Sequence, residues 1–92
     1  MTSTLTKTPT TKAGFELEEI DGELLLYSPS STRSVYMNST ASIIWRLCDG
    51  NQTVQDIVTL LQEAFPEAKD SIEQDVVDSI NLFAENGAIE LI

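Results

Sequence analysis

The hydrophobic period of this chain changes once, near Asn38, and that change governs what it can fold into. Ahead of it, apolar residues alternate or run in short blocks; behind it, they recur at helical spacing. Phe15-Glu16-Leu17-Glu18 alternates, and Asp21-Gly22 separates it from the run Leu24-Leu25-Leu26-Tyr27. Asp-Gly between two such runs predicts a type I′ hairpin, because both central positions of that turn need positive φ. Ser28-Pro29-Ser30-Ser31-Thr32 is turn chemistry, and Ser34-Val35-Tyr36-Met37-Asn38 has the β-forming content of a third strand.

Asn38, Ser39 and Thr40 offer N-cap side chains to a first helix, with Ile44, Leu47 and Cys48 on one face and Asp49-Gly50 at its end. Thr53 and Asp56 have capping-box spacing and open a second helix, whose apolar positions are Val54, Ile57, Val58, Leu61, Ala64 and Phe65. Pro66 stops it. Asp70 and Glu73 repeat the capping spacing before a third stripe, Ile72, Val76, Ile80 and Phe83, which runs to Gly87 as a left-handed cap. Ala88 to Ile92 alternates and can add a short strand. The expected architecture is α+β, a three-stranded antiparallel β-meander followed by three α-helices, over residues 15–92. Residues 1–14, Thr-rich and without periodicity, read as a disordered N-terminal tail.

Charge narrows the partners. Fifteen acidic against five basic residues give a formal net charge of −10, a field that repels nucleic acid and anionic membranes. Lys7 and Lys12 lie in the N-terminal segment, leaving Arg33, Arg46 and Lys69, too scattered to neutralise a phosphate backbone. No apolar run approaches the length of a signal peptide or a membrane helix, and the single cysteine, Cys48, excludes an intramolecular disulfide. The default location is the cytoplasm.

Catalytic chemistry is sparse. Histidine is absent, which removes the commonest general base and metal ligand. Cys48 sits toward a helix C-terminus on an apolar stripe, where the dipole opposes a thiolate, so it reads as a buried small hydrophobe. The glycines are isolated and form no phosphate loop. Acidic residues cluster at the first hairpin and on the third helix, where Asp70, Glu73, Asp75 and Asp78 lie without calcium-loop spacing, as a solvated face would place them. The chain therefore reads as a binding module and not an enzyme, with no cofactor or metal.

The ordered motifs carry a resemblance. A hydrophobic hairpin is followed by Val35-Tyr36-Met37-Asn38 and Ser39-Thr40-Ala41. Ile44-Trp45, Cys48-Asp49-Gly50, Thr53-Val54 and Ile57-Val58 come next, and the series closes with Gln74-Asp75-Val76 and Asn86-Gly87-Ala88-Ile89. In this order residues 15–92 resemble the PqqD family, peptide-binding chaperones of pyrroloquinoline quinone synthesis, and more broadly the recognition elements of ribosomally made, modified peptides. Met37 stands where that family often has Leu, a volume-conserving exchange.

The resemblance implies a winged-helix-like fold that binds the leader of a precursor peptide as a strand added beside the third strand, in a groove walled by the third helix. The expected mechanism is delivery of the peptide to a separate modifying enzyme, of radical SAM type, and the expected assembly is a monomer or weak dimer. The binding residues that the resemblance points to are Arg33, Ser34, Val35, Tyr36 and Met37 on the strand. On the helix, the wheel sets Asp75, Ser79 and Leu82 to one side of the core stripe, with Asp75 and Ser79 as polar contacts, Val76 as the floor, and Leu82 either an apolar anchor or a peripheral core residue. Val35 and Tyr36 face opposite sides of their strand, and the register decides which packs on the helices.

Two other readings compete. Asp70-Ser71-Ile72 and Asp78-Ser79-Ile80 match the phosphopantetheine motif of an acyl carrier, but too little chain follows Ile72 and a β-hairpin has no place in that bundle. A winged-helix DNA-binding regulator shares the element list, yet its recognition helix should be basic, whereas Val54 to Phe65 holds Asp56 and Glu63 and no cation.

Overall fold

The computed structural model describes residues 4–21, 23–29 and 34–92. Strands β1 (Pro9–Thr11), β2 (Glu16–Ile20), β3 (Glu23–Tyr27) and β4 (Ser34–Met37) precede helices α1 (Ser39–Leu47), α2 (Val54–Ala64) and α3 (Lys69–Glu85), and β5 (Ile89–Leu91) ends the chain. Short 3-10 turns cover Thr4–Thr6 and Pro66–Ala68. The expected α+β architecture is present: β2, β3 and β4 form an antiparallel meander in that order, ahead of the helices.

Ile20 pairs with Glu23 across a two-residue connection, and Asp21 takes a φ of 53°, as the first central position of the expected turn requires. Gly22 lies outside the described residues, as do Ser30, Ser31 and Thr32 of the next turn. The register aligns Leu17 with Leu26 and Leu26 with Val35 on one face, and Leu24 with Met37 beside them. This face packs on the helices: Leu26 and Met37 are buried and Leu17, Leu24 and Val35 are half-buried against the core. Tyr36 lies on the opposite face, 73% exposed. The alternation of β4 is thereby resolved, Val35 inward and Tyr36 outward.

Each helix is held by the local chemistry of its ends. Asn38 caps α1, its side chain accepting from the Ala41 N–H at 2.8 Å. At α2 the capping box closes both ways, Asp56 N–H to Thr53 Oγ1 at 3.1 Å and Thr53 N–H to Asp56 Oδ2 at 3.0 Å. α3 ends in a Schellman arrangement, with Gly87 at φ 73°, Gly87 N–H to the Ala84 carbonyl at 3.0 Å and Ala88 N–H to the Phe83 carbonyl at 2.9 Å. Ile72, Val76, Ile80 and Phe83 are all buried, and Phe83 meets Trp45 edge-on at 5.4 Å between ring centres.

Three expectations need correction. Asp70 and Glu73 form no capping box: α3 begins at Lys69 after Ala68, which makes no side-chain cap bond, so Asp70 lies inside the first turn and favours the helix through its charge alone. Ala64 and Phe65 are exposed and not core residues. The helix ends at Ala64, and Phe65 leaves it at φ −131° because the following Pro66 disfavours helical backbone there.

The third correction is the largest. Residues 4–14 of the expected tail are built into the fold, with Pro9, Thr10 and Thr11 paired to Leu91, Glu90 and Ile89 of β5. Pro9 is buried and Leu5 packs against the core. Gly50 N–H donates to the Pro9 carbonyl at 3.0 Å and Val54 N–H to the Lys7 carbonyl at 2.9 Å; Thr11 and Lys12 N–H donate to the Cys48 and Ala88 carbonyls at 3.1 and 2.9 Å. The segment has no hydrophobic period of its own. Backbone groups of β5 and of the α1–α2 connection order it, since buried polar groups demand partners.

Candidate functional site

β4 is an edge of the meander: β3 occupies one side of it, and no described strand pairs with the other. It packs on β3 and α1 rather than broadly on α3. Alternate backbone N–H and C=O groups along its open side are therefore available to an added strand. Met37 and Val35 turn their side chains toward the core, so at these positions the backbone is what β4 offers; Ser34 and Tyr36 are exposed. Arg33, the first residue expected at this site, lies outside the described residues.

The Asn38 cap reverses the chain at the end of β4 and brings the first turn of α1 beside the flank of α3. Asn38 and Thr40 on one side and Asp75, Asp78 and Ser79 on the other enclose a polar hollow. Asp75 and Ser79, expected from the sequence, are thus together. Asn38, Thr40 and Asp78 join them and were not expected. The only signal for Asp78 was its position three residues after Asp75 on the same helix face.

Leu82 follows on this flank, three residues beyond Ser79, and is 37% exposed, too open for a core residue. Asp78 accepts a bond from Gln74 Nε2 at 2.7 Å, and neither Asp75 nor Asp78 has a cationic partner among the described residues. The wall is electronegative.

Val76 is fully buried and lines a second, apolar cavity of about 150 Å3. Ile43 of α1, Leu61 and Phe65 from the end of α2, Ala68 of the 3-10 turn and Ile72 of α3 complete its apolar lining. Thr40 and Asp75 border both the hollow and this cavity, which makes them adjoining compartments of one groove. Phe65 is the residue that sequence periodicity assigned to the core and the fold leaves at this opening.

The thiol of Cys48 lines neither compartment of the groove. Cys48 is buried, its thiol donates to the Ile44 carbonyl at 3.2 Å, and burial, helped by the Asp49 charge, pushes its pKa up to about 12. It is a protonated core residue at neutral pH. Among the described residues no group of three or more His, Cys, Asp or Glu side chains is arranged to hold a metal ion. Ser71 and Ser79, the serines of the carrier-like motifs, stand on α3, and the Ser71 hydroxyl donates to the Ala68 carbonyl at 3.0 Å. No described helix is long and apolar enough to cross a membrane. What the site offers is a strand edge, a polar hollow and an apolar cavity in series.

Comparison with known proteins places the chain in a family. The chain is similar to a PqqA binding protein of Azotobacter vinelandii, 32% identical over 92 residues that cover 97% of this chain and 96% of that protein. No solved structure gives a significant match. The family model described as Coenzyme PQQ synthesis protein D (PqqD) matches residues 23–89, from β3 to the start of β5. With most of its length matched in this way, the chain belongs to the PqqD family.

Proposed function

We propose that the chain is a non-catalytic peptide chaperone, a recognition element that binds the leader of a ribosomally made precursor peptide and presents it to a separate modifying enzyme of radical SAM type. The observation that carries this reading is the open edge of β4 beside the flank of α3 that bears Asp75, Ser79 and Leu82. A leader strand added there gains main-chain hydrogen bonds from Ser34 to Met37. The helix flank supplies side-chain discrimination, with Val76 beneath it.

The curated relative bears the name PqqA binding protein, which supports a peptide ligand for this chain. Absence of histidine and the protonated state of Cys48 leave the chemistry to a partner. Docking of the loaded module on that enzyme raises the effective concentration of the peptide at the active site. The test is calorimetric titration of the full chain with the precursor peptide encoded beside it, for wild type and Leu82→Glu. Burying a carboxylate in place of an apolar anchor should weaken binding by about tenfold or more. Unchanged affinity would remove this flank of α3 from the site.

A further inference from the structure

We infer that the apolar cavity between α1, the end of α2 and α3 is a second recognition pocket, which receives one large apolar side chain of the same peptide, next to a lysine or arginine, from the segment just ahead of the added strand. The inference rests on the strand-addition reading above and assigns the chemistry of the ligand beyond it.

Size selects the occupant first. A cavity of about 150 Å3 is well below the roughly 300–1,000 Å3 of sites that enclose a cofactor or a drug-sized molecule. It suits a single Leu, Met or Phe side chain. Ile72 and Val76 form its buried floor and Phe65, 42% exposed, stands at its mouth. Position selects the segment. β4 runs from Ser34 to Met37 toward the hollow, and antiparallel pairing is the rule in this sheet. A strand added antiparallel to β4 enters at the Met37 end, so residues preceding it pass Asn38 and Thr40 and reach the cavity through their shared border at Thr40 and Asp75.

Charge selects the neighbour of the anchor. Glu67 and Asp75 border the cavity and Asp78 the hollow, on a chain of net charge −10. A cationic peptide residue is attracted there and an acidic one repelled. The same charge disfavours a second copy of this chain as the occupant.

The experiment uses the full chain as bait for a phage-displayed library of random peptides, followed by titration of selected peptides as synthetic molecules. Enriched peptides should carry a β-forming run preceded within a few residues by Leu, Met, Ile or Phe with Lys or Arg adjacent. Replacing that apolar residue by Ala should weaken binding about 10- to 100-fold. Ala68→Phe, on the half-buried 3-10 turn, fills the cavity from its wall; with an unchanged circular dichroism spectrum and melting temperature, it should shrink the same penalty to less than about threefold. Glu67→Lys should reduce the preference for the adjacent cation.

Enriched peptides without an apolar residue ahead of the strand, or an undiminished penalty in Ala68→Phe, would overturn the pocket. Backbone N-methylation in the β-forming run separates the two readings. Loss of binding on methylation sustains strand addition whatever happens to the pocket. Tolerance of methylation with the anchor penalty intact overturns strand addition, and with it the assignment of the anchor to a segment ahead of an added strand.

Discussion

The buried thiol of Cys48 makes the alkaline stability of this protein predictable. Its pKa rises from an ordinary 9.0 to about 12, chiefly because burial disfavours the thiolate and secondarily because Asp49 is close. A raised pKa means that the native state holds the proton more tightly than the unfolded state. Below pH 9 both states are protonated and the full contribution is present. Between pH 9 and 12 the unfolded chain releases the proton while the native chain keeps it, so stability falls as pH rises, with a slope approaching about 1.4 kcal/mol per pH unit. Across the whole interval the loss amounts to about 4 kcal/mol, a large share of the ~5–15 kcal/mol typical of a domain.

The assay is urea denaturation of wild type and Cys48→Ala at pH steps from 8 to 11. The alanine variant should be less stable at pH 8, because it leaves a small void and loses the bond to the Ile44 carbonyl, but its decline above pH 9 should be shallower. Lysine and tyrosine titrations are common to both proteins and cancel in the difference. Parallel slopes would refute the assignment of a buried, protonated thiol.

Other expectations follow from the same geometry. Removing residues 1–12 deletes β1 and the backbone partners of Gly50, Val54 and Ile92, and should lower unfolding free energy by about 2 kcal/mol or more; an unchanged urea midpoint would show that this segment is not part of the fold. Thr53→Ala should cost about 1 kcal/mol, and a double-mutant cycle with Asp56→Ala should show coupling, since each side chain of the capping box bonds the backbone of the other. Phe83→Ala should cost about 3–5 kcal/mol, measured by the same denaturation, because the ring is fully buried against Trp45.

Much of the architecture was legible in residue order because the signals are local. Asp21 at positive φ, the caps at Asn38 and Thr53, the Schellman end at Gly87 and the buried stripe Ile72, Val76, Ile80 and Phe83 each express an interaction between residues a few positions apart. The absence of histidine was equally legible, since folding changes no residue's identity. Phe65 was misread where two local signals conflict: helical period placed it in the core, and the backbone restriction before Pro66 turned it out.

Tertiary structure alone decided the rest. The N-terminal strand exists because β5 and the α1–α2 connection present backbone groups to it, a demand made by residues far away in the chain. Which face of β4 carries Val35 depended on pairing register, and the groove depended on α1 and α3 meeting at Thr40 and Asp75. Periodicity reports how a segment relates to its own axis. An open strand edge, a hollow and a cavity are relations between segments, and they come into being only when the chain has packed.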